Sequence, residues 1–131
     1  MIKQDYLIRM IQEIVSLIVQ ALLQRKKLKK ESWVEYDCLT RQILGVPSEE
    51  LPTLNPDELL ERYRGDLFEM GKVELAAMTL LKIADEAELH LVNRSKLQHD
   101  ALYLLQYVQS HSSEFSLQRM QIMAQIERQV G

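Results

Sequence analysis

The sequence predicts an all-α fold, a bundle of five or six helices, and three observations carry that expectation. All three prolines, Pro47, Pro52 and Pro56, lie between residues 45 and 71, as do Gly45, Gly65 and Gly71, and only Gly131 falls outside. These are the strongest helix breakers, so long uninterrupted stretches remain on either side. Helix-start signatures recur ahead of apolar runs, as detailed below. No window shows sustained period-two alternation with β-branched enrichment, so no sheet is expected. The expected organisation is one helical domain over 1–131, with a helical block at 1–44, a connector with a short helix at 45–71 and a second block at 72–130.

The first helix is expected near 3–28. At 100° per residue, Gln12, Glu13, Ser16, Gln20 and Gln24 gather within about 60° either side of Arg9, while apolar residues from Met10 to Leu22 fill about 200°. One layer of packing needs little more than a 100° stripe. The excess has two readings: a helix packed from two sides inside one domain, or a face for self-association or a partner groove.

Ser32 followed by Glu35 forms a capping box, which starts a second helix over 33–44. Asn55-Pro56-Asp57-Glu58 combines an N-cap, proline at the first helical position and first-turn acids, for a third helix over 56–70. Gly65 offers it an early stop, with a restart at Asp66. A fourth helix is expected over 73–92. The polar turn Asn93-Arg94 and the box Ser95/Gln98 set a fifth over 96–110. On it Leu97, Ala101, Leu104, Leu105 and Val108 form a core stripe, with Tyr103 and Tyr107 straddling core and rim. The run Ser110-His111-Ser112-Ser113 precedes a sixth helix over 114–130.

Composition excludes several classes. The 131 residues are 47% hydrophobic and 27% charged with net charge −3, too apolar for a disordered chain. A single cysteine, Cys38, leaves no intramolecular disulfide and no all-Cys zinc site. It has no histidine near it in sequence to act as a base, so a buried free thiol is expected. The opening residues do not read as a signal peptide. The apolar stretch Leu7–Leu23 is interrupted by Arg9, Gln12, Glu13, Ser16 and Gln20, so no membrane span is expected and a cytoplasmic setting is.

Charge is distributed unevenly. Residues 1–30 hold seven Lys/Arg against two Asp/Glu, +5, and residues 31–131 hold nine against seventeen, −8. Arg25, Lys26, Lys27, Lys29 and Lys30 concentrate the excess at the end of the first helix. There they complement its dipole in solvent, or bind an anionic surface such as nucleic acid or lipid headgroups, with Trp33 and Tyr36 available to stack on bases. An acidic protein with one short basic run is a thin nucleic-acid footprint.

No catalytic or metal constellation assembles. Asp85, Glu86 and Glu88 share a helix with Lys82 and His90 and read as a solvated acidic face, with Lys82/Glu86 as an ordinary i, i+4 surface pair. Helix-borne di-metal sites use Glu-x-x-His, but Ala87 stands three residues before His90. Gly65 and Gly71-Lys72 miss the phosphate-loop spacing, and Val73 stands where Ser or Thr is required. No cofactor, metal or enzymatic activity is expected.

The helix pair 73–92 and 96–110 resembles one tetratricopeptide-type hairpin. Ala101, Leu105 and Val108 follow the small, large, small spacing of that repeat's second helix. The first helix departs from the repeat, with Leu89 and Val92 where glycine and tyrosine would fall, and no period of about 34 residues recurs. The opening Met1-Ile2-Lys3-Gln4-Asp5-Tyr6-Leu7 with Arg9-Met10-Ile11 resembles the start of an uncharacterised family of small all-helical bacterial proteins with a tetratricopeptide-like C-terminal hairpin. That resemblance implies the fold and a bacterial cytoplasmic setting, with no catalytic residue attached.

The expected function is a non-enzymatic helical interaction module that self-associates, for instance as a homodimer, or binds a protein partner. Its candidate interface is Leu7, Ile11, Ile14, Ile18 and Trp33, or a groove beside the fourth and fifth helices. Anionic-surface binding through Arg25, Lys26, Lys27, Lys29 and Lys30 is the alternative.

Overall fold

The computed structural model describes residues 4–24, 30–86 and 91–130, with the backbone alone at 30–32, 86, 91, 92 and 130. Among the described residues the structure is all-helical and has no strand. The helices are α1 (Gln4–Gln24), α2 (Lys30–Leu44), α3 (Pro56–Tyr63), α4 (Glu69–Glu86), α5 (Leu91–His111) and α6 (Leu117–Val130), with a 3-10 turn at Leu51–Thr53.

The local chemistry explains most boundaries. Gly45 adopts φ +72° and its N–H bonds the Arg41 carbonyl at 2.8 Å, closing α2 in the left-handed conformation that glycine reaches without a Cβ penalty. The Asn55 side chain accepts the Asp57 N–H at 3.1 Å, with Pro56 in the first turn, and so starts α3 as the sequence predicts. Gly65, at φ +78°, follows the early stop of α3.

Several boundaries differ from expectation. The third helix does not reach residue 70, and the chain restarts as α4 only at Glu69. Gly71 is therefore helical and breaks nothing. A Cβ built there would lie 3.4 Å from Ile11 Cγ2, so it sits where α4 passes close to α1. Helix α4 is described as far as Glu86 and α5 from Leu91, and Asn93, Arg94 and Ser95, expected as a turn and a cap, are helical. Ser95 does not cap α5; its carbonyl instead meets the His99 ring at 2.8 Å. Similarly, α2 already includes Ser32.

The core is one cluster running through all six helices. At its centre is α4, where Val73, the whole run Leu75–Lys82 and Ala84 are buried. A helix apolar nearly all round is a buried helix, and α4 touches α1, α2, α3, α5 and the 3-10 turn. The arc of α1 is spent in the same way, through contacts with α4, α6 and α2. On α5, Leu97, Ala101, Leu104, Leu105 and Val108 form the buried stripe that the sequence predicts.

Cross-helix contacts fix the directions. Ile11 meets Gly71 near the start of α4, and Ser16 accepts from Gln118 near the start of α6 at 3.2 Å. Further along, Leu22, Leu81 and Ile126 border one depression. Helices α1, α4 and α6 therefore run parallel. Helix α5 runs against them, with Tyr107 bonded to Glu69 and Gln98 to Gln129. The N-termini of three helices and the C-terminus of α5 thus meet at one end of the molecule.

Candidate functional site

At that end the helices enclose an open groove of about 550 Å³. Ile11 and Gly71 contribute to its wall where α1 and α4 touch, and Ile8, Leu67, Glu69, Glu114 and Arg119 also border it. Leu67 is 70% exposed and Ile8 42%. Phe115, next in sequence to Glu114, is 72% exposed.

Arg119 organises the groove. It is buried, yet three directional bonds engage its guanidinium. Nη1 donates to Glu74 Oε2 at 2.6 Å, Nε to Gln109 Oε1 at 2.9 Å and Nη2 to the Glu114 carbonyl at 2.9 Å. The fork ties α6 to α4, to α5 and to the loop between α5 and α6. That loop is also held at Ser112 Oγ, which accepts the Glu114 N–H at 3.1 Å, and at Ser116 Oγ, which accepts the Arg119 N–H at 3.2 Å.

Asp66 braces the opposite wall. Its Oδ1 accepts the Phe68 N–H and its Oδ2 the Lys72 ammonium, both at 2.8 Å. Partial desolvation pulls its carboxyl upward, but the Lys72 and Phe68 bonds and the Lys72 charge outweigh that and hold it below its ordinary value. Tyr107 donates to Glu69 Oε2 at 3.1 Å and stacks on the His111 ring with centroids 4.0 Å apart. Desolvation, then the bond to Glu69, push the Tyr107 hydroxyl up.

The wall is acidic: Asp66, Glu69, Glu74 and Glu114 face one cation, Arg119. Lys72 satisfies Asp66 and Arg119 satisfies Glu74. Glu69 and Glu114 have no ion-pair partner among the described residues. Acids at Glu69 and Asp66 also complement the N-terminal dipole of α4.

A second depression, about 260 Å³, lies at the other end of the bundle. Leu22, Leu81, Ala84, Ile122 and Ile126 meet there beneath Gln98, Gln125 and Gln129. Arg94 crosses its margin and donates from Nε to the Ala84 carbonyl at 3.1 Å, capping the last turn of α4. It is bordered by α1, α4, α5 and α6.

The sequence-predicted interface is corrected. Ile11, Ile14, Ile18 and Trp33 are buried in the core, and Leu7 is half-buried against it, so the five are no surface of the folded chain. Only Ile11 reaches the groove. Trp33 lies edge-on to Tyr36 with centroids 6.2 Å apart. The Lys82 ammonium sits 4.2 Å from the Trp33 ring centroid and 3.0 Å from Asp37 Oδ1. Trp33 is therefore filled from within and has no open face for a base. Lys82, expected on the surface, is buried beneath this cluster. Cys38, expected to be buried, is exposed, with Gln42 Nε2 4.0 Å from its sulfur.

Arg25, Lys26, Lys27 and Lys29 lie outside the described residues, as do Glu88 and His90, and the Lys30 and Glu86 side chains are not described. Among the described residues no group of three or more His, Cys, Asp or Glu is placed to hold a metal. Helix α1 is long and apolar enough to cross a membrane by length and composition, despite its polar interruptions. A core helix passes the same test, and α1 buries Ile11, Ile14, Val15, Ile18 and Val19 inside the bundle.

Sequence reasoning missed the groove residues. Ile8 and Leu67 gave no signal, because exposure of a single apolar residue follows from tertiary placement. Arg119 was detectable in principle: it stands four before Met123 and three before Ile122 on an otherwise apolar helix face. Comparison with protein-family models, with curated proteins and with solved structures finds no match.

Proposed function

We propose that the chain is a non-enzymatic helical interaction module, and that the groove at the N-terminal end of α1, α4 and α6 is where it docks a protein segment. One observation supports this reading above the others. Leu67, largely in solvent, and Ile8, partly so, border a concave surface. Apolar side chains exposed around a concavity are characteristic of a surface that a partner covers. The groove wall is itself held rigidly, by Arg119 on one side and Asp66–Lys72 on the other, so docking requires little reorganisation.

The test is site-specific photo-crosslinking in cells. A photoreactive residue replacing Leu67 is expected to give a discrete protein adduct. The same residue replacing Val34, equally exposed on α2, is expected to give none. No adduct from position 67, or equal labelling from both positions, overturns the reading.

A further inference from the structure

We propose that the occupant of this groove is the basic run Arg25–Lys30 of a second copy, so that two chains pair antiparallel and each lays its run on the other's groove. The proposal rests on the docking reading above and deepens it.

Charge points to this occupant. Glu69 and Glu114 stand on the groove with no ion-pair partner among the described residues, while the other two groove acids are matched within the chain. The run Arg25-Lys26-Lys27-Leu28-Lys29-Lys30 supplies five cations around one leucine. Its chemistry is the complement of a groove that offers carboxylates between exposed apolar side chains, Leu67 and Ile8. Polar and charged complementarity of this kind fixes partner and register.

Geometry excludes the chain's own run. Gln24 lies thirteen residues beyond Ile11 on α1, about 20 Å away along the axis. Five residues join Gln24 to Lys30, and in any conformation a stretch of that length reaches at most about 10 Å beyond its two anchors. The contact must therefore be made in trans. The groove borders the first half of α1 and the run follows Gln24 at its other end in sequence, so an antiparallel pair forms both contacts at once about a two-fold axis. That closes the assembly at two copies, where a head-to-tail contact would propagate.

The experiment is the absolute mass of the full chain by light scattering across a concentration range, with two charge-reversal variants. One carries Glu69→Lys and Glu114→Lys; the other carries Lys26→Glu, Lys27→Glu and Lys29→Glu. The wild type is expected to be a dimer at low salt, with its dissociation constant weakened at least about tenfold from about 50 to about 500 mM salt. Each variant alone sets like charges against each other in both contacts and is expected to be monomeric. Mixed in equal amounts, they restore opposite charges in both contacts and are expected to recover the dimer. That rescue also shows that both variants are folded. A wild type that stays monomeric, a dimer indifferent to salt, or a mixture that stays monomeric overturns the proposal. Crosslinking from position 67 separates it from the broader reading. An adduct of twice the chain mass joined at residues 25–30 supports self-pairing. An adduct with any other protein or a nucleic acid overturns self-pairing, and the protein adduct leaves the docking role standing.

Discussion

Arg119 Nη1 lies 2.6 Å from Glu74 Oε2, and this bond joins the first turn of α6 to the central helix. The pair is nearly out of solvent, so each charge depends on the other. Arg119→Met leaves Glu74 desolvated without a counter-charge and is expected to cost about 3 kcal/mol. Arg119→Lys is not expected to restore it, because an ammonium cannot reproduce the three-way fork to Glu74, Gln109 and the Glu114 carbonyl. Urea denaturation of both variants checks this, and a Lys variant as stable as wild type would contradict it.

Ile18→Glu separates a core role from an interface role. Ile18 is buried within the chain, and an uncompensated carboxylate there is not tolerated in its charged form. The variant is expected to lose its cooperative thermal transition. A folded, merely dissociated Ile18→Glu protein would show that the residue faces a partner. The milder Ile14→Ala is expected to cost about 2–5 kcal/mol.

The two glycines flanking the connector should respond oppositely. Gly45→Ala forces a Cβ into a left-handed backbone with open space around it, so strain alone acts, costing about 1–2 kcal/mol. Gly71→Ala adds a methyl in ordinary contact with Ile11 and gains helix propensity, for a change between zero and about 1 kcal/mol stabilising. Gly71→Leu is expected to wedge α1 off α4 and cost about 1–3 kcal/mol. Denaturant midpoints of the three variants decide the order.

Tyr63 gives a pH prediction. Its buried hydroxyl donates to the Leu44 carbonyl at 2.7 Å, and desolvation pushes its pKa from 10.0 up to about 12. A group raised in the folded state contributes its stability fully below the unfolded value and loses it as pH climbs to the folded one. Stability should therefore fall between about pH 10 and 12, and less steeply in Tyr63→Phe. That variant is expected to lose about 1 kcal/mol at neutral pH through the broken bond. Denaturation at pH 8 and pH 11 measures both effects.

The elements that chemistry punctuates locally were legible. Asn55-Pro56 starts α3 and Gly45 ends α2 because capping acts within a few residues. The stripe Leu97 to Val108 was legible because helical period shows directly in spacing. Gly71 was misread because a glycine admitting a close neighbour looks in sequence like one that breaks a helix. Ser95 was misread because a capping box is equally compatible with mid-helix bonding to His99. The candidate site was scarcely legible at all. The broad arc of α1 announces burial without naming what buries it, and α1 packs on α4 and α6, far away in sequence. The central place of α4 was not read from the sequence, although its run Leu75–Leu81 is apolar except for Thr79.

The parallel setting of α1 against α4 and α6 bears on how the chain is made. Ile11 meets Gly71 some sixty residues later, and Ser16 meets Gln118 after 102. At ribosomal speeds of about 5–20 residues per second, α1 waits roughly 5–20 s for its last neighbour. Through that interval the flank of α1 that α6 covers has no partner. The nascent protein is therefore an expected chaperone client, and truncation before α6 is expected to give an aggregating product.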